Sequence, residues 1–255
     1  MINKELPMIS AKCITYGRIE YLQEAIQSFL LQNYKGPKEL IIVNDYPLQK
    51  LVFDHPEVTI VNLDETFSTI GDKENYATKL CKGEIICQWD DDDVALPNHL
   101  DNVYKHFTDD VNIIHWKTGV LYNEPKITEI TWLGNSGIVF RKSAWEAIGG
   151  HPIENAGYDM TFIERLHKHG GRLFVEMPKE DASWFYMWGG RGYHMSGQGH
   201  DVAGKPNVIQ RHSLHIENLR IQNKIPTGDV NLNPNWKKDY KKMLEEYVSK
   251  CNTSK

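Results

Sequence analysis

The sequence has little cysteine, no long apolar run and no surplus of positive charge. Its four cysteines, Cys13, Cys81, Cys87 and Cys251, show no CxxC or histidine-paired spacing. That excludes the common structural-zinc and disulfide-scaffold classes, and three of the four lie in or beside expected buried elements, so reduced thiols with no zinc and no disulfide are expected. No stretch of about eighteen consecutive apolar residues occurs, so no membrane-spanning helix is expected. The opening MINKELPMISAKCITYG has neither the apolar core nor the small-residue cleavage site of a secretory signal; a soluble, cytoplasmic protein is expected. Lysine and arginine number 29 against 34 aspartates and glutamates, a formal charge of −5, which gives no electrostatic basis for nucleic acid as the main partner.

What is present is a regular alternation of strand and helix patterns. Met8 to Ile14 reads as a buried strand, Glu39 to Val43 as a second, Val58 to Leu63 as a third and Glu84 to Trp89 as a fourth. Helices are expected between them, from Ile19 to Leu30 and from Gly71 to Lys82, and after them from Pro97 with Leu100, Val103, Tyr104 and Phe107 inward. Strands joined by helices of this length imply right-handed crossovers and a mostly parallel sheet, the nucleotide-binding half of a doubly wound fold. From Val111 onward the order changes to short strands, two helices (Ser143 to Ile148 and Tyr158 to His169) and a further strand pair, Arg172 to Glu176 and Ala182 to Trp188. The last stretch, from Pro226, is polar with a helical stripe at Tyr240, Met243, Leu244 and Tyr247. A solvated amphipathic helix is the simplest account of it, with docking on a partner or membrane surface as the alternative.

The segment CQWDDDDVALPNHL puts Asp90, Asp91, Asp92 and Asp93 at the end of the fourth strand. Ligands of open parallel sheets sit outside the carboxyl ends of the strands. Adjacent carboxylates resist joint ionisation, so a cluster charged near neutral pH calls for a hard divalent cation, which in turn attracts an anionic substrate. A capping aspartate on the helix near Pro97 would account for one of the four only. Thr15 and Tyr16 follow the first strand, and Asn44 and Asp45 the second, so an aromatic ring and a carboxylate are expected at the same mouth, for stacking on a base and accepting from it or from a ribose.

CITYGRIEYLQEAIQSFLLQNY, ELIIVNDYP, GDKENYATKLCKGEIICQWDDDDVALP and GYDMTFIERL, in this order and spacing, resemble the family-2 glycosyltransferases of GT-A fold, over about residues 8 to 200. The resemblance implies an α/β, Rossmann-like, mostly parallel sheet flanked by helices and a smaller mixed sheet on the acceptor side, to which the helical stripe adds a C-terminal helical tail. Together with the change in pattern at Pro226, the expected division is a transferase domain, 1–225, with a nucleotide-sugar half at 1–107 and an acceptor half at 108–225, and a helical extension at 226–255. The resemblance implies inverting transfer from a nucleotide diphosphate sugar, UDP-linked by expectation, to a saccharide or lipid-linked acceptor in bacterial surface polysaccharide or glycoconjugate assembly. The cofactor it implies is a divalent metal, manganese before magnesium, and it leaves room for peripheral contact with the inner face of the membrane.

Carried over by position, Thr15, Tyr16 and Asp45 fall where the family contacts the nucleoside. Asp90 and Asp92 fall at the ends of its DxD motif, and Asp92, five residues before Pro97 as in the family, is the expected direct ligand. Asp91 or Asp93 is expected to orient ribose or donor sugar. Asn75 matches a donor-side asparagine, but Glu74 stands before it where the family often has arginine, and Lys73 is the expected substitute for that cation. NDYP stands in place of the more usual DDGS. Asp159 matches the family's acidic residue on the acceptor side, preceded here by Tyr158, and is the expected general base, against a plain helix N-cap. In WFYMWGGRGYHMSGQGH, Arg191 is the candidate partner of the diphosphate and His194 a candidate metal ligand; the plainer reading is a hairpin with core aromatics and a surface histidine. Trp132, Asn135, Trp184 and Trp188 are either sugar platforms or core. A sugar-phosphate nucleotidyltransferase would carry a glycine-rich loop after the first strand, where ITYGRIEYL stands. The remaining alternatives are a non-catalytic nucleotide-sugar binder and a transferase acting on modified DNA.

Overall fold

The structure is a computed structural model that describes residues 5–131, 135–188 and 208–253, without the side chains of 208 and 209. In chain order the first part forms β1 (Ile9–Thr15), α1 (Ile19–Leu30), β2 (Lys38–Asn44), β3 (Gln49–Val52), β4 (Val58–Asn62), α2 (Ile70–Leu80), β5 (Ile85–Gln88), β6 (Val94–Ala95) and α3 (His99–His106). There follow β7 (Ile113–Trp116), β8 (Gly119–Asn123), β9 (Lys126–Ile130), β10 (Val139–Arg141), α4 (Lys142–Ala147), α5 (Tyr158–His169), β11 (Arg172–Val175), β12 (Trp184–Trp188), α6 (Val208–Ile221), β13 (Gly228–Asn231) and α7 (Tyr240–Thr253).

Among the described residues the main sheet has seven strands in the order β11-β7-β10-β5-β1-β2-β4. All neighbours run parallel except β10, which is antiparallel to both β5 and β7. The central strands read as apolar runs because both faces are covered. Ile9, Ala11 and Cys13 of β1 pack with Leu22, Ala25, Ile26 and Phe29 of α1 and Leu100 and Val103 of α3. On the other face Ile41, Ile86 and Phe140 meet Trp145, Phe162, Ile163 and Leu166 of α4 and α5. The result is the mostly parallel, helix-flanked architecture expected.

A second sheet, β6-β12-β8-β9, carries the smaller mixed part. Trp184 sits inside the core, edge-on to Trp89, while Trp132 lies outside the described residues. The stripe of α7 is not solvated: Tyr240 and Leu244 are buried with Val94, Val120, Phe185 and Met187 of this sheet. Upstream, β13 pairs in parallel with β3, so residues 226–255 contribute a strand as well as the expected helix. Polar groups on α1 fasten the segment. Glu24 accepts from the Tyr240 hydroxyl (2.7 Å) and the Lys237 amide (2.9 Å), and Ser28 accepts from Trp236 Nε1 (2.9 Å).

If α7 is part of the fold, Tyr240→Ala should cost about 3–5 kcal/mol, the usual range for a buried aromatic. Urea unfolding measures this, and a loss below about 1 kcal/mol would show a loosely held helix.

Candidate active site

The carboxyl ends of β1, β2 and β5 open into a cleft of about 210 Å³, whose lining includes Thr15, Tyr16, Asp45, Lys73, Asp90, Asp91, Asp92 and Asp159. The same cleft takes in Arg18, Glu74, Tyr158 and His212.

Each aspartate of the cluster is held differently. Asp93 points inward, where its carboxylate accepts from Trp184 Nε1 (3.0 Å) and the Met187 amide (2.9 Å). It ties the strand end to β12 and leaves the cleft to the other three. Asp91 accepts a forked pair from Arg18, through Nε at 3.1 Å and through Nη2, and Asp92 accepts from Arg18 Nη1 at 2.7 Å. Asp90 accepts from Gln88 Nε2 at 2.8 Å.

Burial raises the Asp90 carboxyl to about 6, with the neighbouring Asp92 charge adding to it and the Gln88 hydrogen bond opposing it. Burial likewise raises Asp91 to about 6 against the pull of Arg18. Burial lowers the Arg18 guanidinium, but the charges of Asp91 and Asp92 outweigh it and raise its pKa overall.

At the end of β2, Asp45 forms a buried ion pair with Lys73 and accepts from the Phe67 amide at 3.0 Å. Lys73 Nζ also donates to the Thr15 carbonyl at 2.7 Å, so its charge is spent on the floor that Thr15 and Asp45 share. The Tyr16 ring has Tyr46 (4.9 Å) and His212 of α6 (5.5 Å) as neighbours, tilted to both. Asn75 is not brought to the cleft lining. Its amide clamps the backbone of His151, donating to the carbonyl (2.9 Å) and accepting from the N–H (2.7 Å).

Behind the cleft, Lys12 of β1 is fully buried. Its ammonium pairs with Glu74 and donates to Gln88 Oε1 at 2.6 Å, and Gln88 Nε2 returns a bond to Glu74 Oε1 at 3.2 Å. The Tyr158 hydroxyl titrates well above its ordinary value, through burial first and then the nearby Glu74 carboxylate. Gln88 thus reaches Asp90 and Glu74 stands near the first turn of α5, where Asp159 stands. Gly157, in the left-handed region at φ 74°, is the N-cap of that helix, so Asp159 is not the cap residue. Its carboxylate sits where the helix dipole favours negative charge.

Arg191 and His194 lie outside the described residues. Among the described residues no group of three histidines, cysteines or acids is placed to hold a metal. Asp90 and Asp92 offer the hard oxygen donors that magnesium and manganese take, and such ions complete their shells with water and phosphate, so the residues fit a divalent ion bound together with an anionic ligand. Sequence reasoning missed Arg18, Gln88 and His212. The signal for Arg18 was the unpaired charge itself, since so many buried carboxylates call for an internal cation.

Residues 12–150 match the family model described as glycosyl transferase family 2. An uncharacterized glycosyltransferase of Bacillus subtilis (strain 168), YwdF, is 29% identical over 123 residues, which is 46% of this chain and 44% of that protein. The chain therefore matches less than half the length of that relative. S. aureus TarS 1–349 in complex with UDP-GlcNAc superposes with a TM-score of 0.60 at 17% identity, over 75% of this chain and 61% of that one. The mannosyltransferase PcManGT from Pyrobaculum calidifontis, in complex with GDP-Man and Mn2+, gives 0.55 at 17% identity over 85% and 70%. At these identities the two structures establish a shared fold.

Because folding raises the Asp90 pKa, the native state binds more protons than the unfolded one between about pH 4 and 6, and stability falls as pH rises through that window. Asp90→Asn should therefore stabilise the ligand-free protein at pH 7.5 by about 1–3 kcal/mol, with a smaller gain at pH 5. Urea unfolding at the two pH values measures both, and a variant no more stable than the parent at pH 7.5 would contradict the assignment.

Proposed function

The chain belongs to glycosyl transferase family 2, and we propose that it moves a sugar from a nucleotide diphosphate donor to an acceptor hydroxyl with inversion at the anomeric carbon. The observation that carries this is the placement of the Asp90–Asp92 edge and Asp159 on the walls of one cleft. The nucleoside end of the donor would lie on Thr15, Tyr16 and Asp45, with the Tyr16 ring as stacking surface. Asp90 and Asp92 would hold a divalent cation, manganese by preference, whose chemistry is to stabilise the departing diphosphate as a Lewis acid.

Asp159 is the general base. Its carboxylate takes the proton of the acceptor hydroxyl as that oxygen attacks from the face opposite the leaving group. The pairing of Glu74 with Lys12 removes the charge conflict that an acid in the place of the family's arginine would otherwise bring to the site. Glu74 stands near Tyr158 in the turn that carries the base, and Gln88 holds Asp90. UDP is our choice of nucleotide and a bacterial polysaccharide or glycoconjugate our choice of product, both supported by the family resemblance. One similar fold holds UDP-GlcNAc and another GDP-Man.

Two substitutions separate the roles. Asp92→Asn should abolish metal-dependent donor binding, measured by titration calorimetry. Asp159→Asn should leave donor affinity unchanged while donor turnover falls by ~10²–10⁴-fold, the usual contribution of a general base. Normal turnover in both variants would overturn the site assignment.

A further inference from the structure

The cation nearest the aspartates belongs to the chain. Arg18 occupies the N-cap position of α1, with its own carbonyl accepting from the amides of Tyr21 (3.2 Å) and Leu22 (3.1 Å). That anchorage fixes the backbone at the cleft rim while the guanidinium reaches over to the end of β5. There it spans two carboxylates, forked on Asp91 and single on Asp92 Oδ2. The side chain is 17% exposed, Asp92 11% and Asp91 fully buried. Arg18 thus stands at the open edge of the cluster, on the carboxylate assigned above as the direct metal ligand.

We infer that Arg18 is a resident counter-cation that keeps a divalent metal from binding alone and makes metal binding conditional on the donor. The inference rests on the assignment of this cleft as a metal-dependent donor site. A guanidinium and a divalent ion on the same carboxylate repel strongly at this degree of burial, so each weakens the other. A nucleotide diphosphate changes the balance. It brings negative charge that the metal and a guanidinium can share, and phosphate oxygens match the fork of an arginine. Arg18 would keep Asp91, release Asp92 to the metal and turn Nη1 to the diphosphate. The coupling is reciprocal: nucleotide strengthens metal binding by the same factor that metal strengthens nucleotide binding.

The test is a titration of free Mn2+ by electron paramagnetic resonance, on the full chain and on Arg18→Met, first without nucleotide and then with UDP or GDP. The parent should bind Mn2+ alone at least tenfold more weakly than with nucleotide. Arg18→Met should bind Mn2+ alone at least tenfold more tightly than the parent, and its gain on adding nucleotide should shrink. If Arg18→Met does not fold, Arg18→Met with Asp91→Asn, which removes the forked charge pair together, is read in the same way. Nucleotide-dependent Mn2+ binding in the parent, with no gain for Mn2+ alone in the variants, would overturn the role of Arg18 and leave the donor site standing. No Mn2+ binding to the parent with either nucleotide would overturn both.

Discussion

Negative charge gathered at the end of one buried strand is the constraint around which the molecule is arranged. β5 is buried on both faces, so the turn after it cannot retreat into solvent, and its four carboxylates need compensation from within the fold. Asp93 is answered by an indole and a main-chain amide from β12, Asp91 and Asp92 by the Arg18 guanidinium, and Asp90 by the Gln88 amide. The smaller sheet is therefore tied to the main one through a carboxylate. The three remaining acids face a cleft whose resident cation is Arg18.

A second set of charges lies behind the first. Lys12 is buried in the central strand because Glu74 of α2 and Gln88 of β5 satisfy it, and a buried ammonium without such partners would be prohibitive. Through Gln88 the set touches Asp90, and at Tyr158 it comes near the helix bearing Asp159. One set of polar groups therefore holds Asp90 and borders the helix that bears Asp159, and hydrogen-bonded networks of this kind hold geometry well. The charge at position 74 that departs from the common family pattern is absorbed by this network.

Most of the fold was legible because its elements follow from period and punctuation. The apolar centre of β2, the short, largely apolar segments of β1 and β5 between turn residues and the helical stripe of α1 each fit the observed element. The misses share a cause in long-range partners. β3 and β13 are short strands stabilised by each other across most of the chain, and β6 has two residues that exist as a strand because β12 lies beside them. The apolar residues of α6 fall on both faces, Ile216 buried and Leu214 and Ile221 exposed, so no stripe marks it. At the site, residue type and strand end pointed to Thr15, Tyr16, Asp45, Asp90, Asp91 and Asp92, the family resemblance added Lys73 and Asp159, and all eight line the cleft. What residue type could not show is which partner a side chain chooses: Lys73 pairs with Asp45, and Asn75 clamps a turn at His151.

The central claim is that the aspartate cluster binds a nucleotide diphosphate sugar through a divalent ion. A melting-temperature screen of nucleotide sugars with and without manganese tests it most directly. A donor present at about a hundred times its dissociation constant adds ~2.7 kcal/mol to stability. The account predicts a rise in melting temperature that needs both manganese and a nucleotide sugar and that disappears in Asp92→Asn. A rise that manganese does not affect, or none with any nucleotide sugar while the protein is folded, would contradict it.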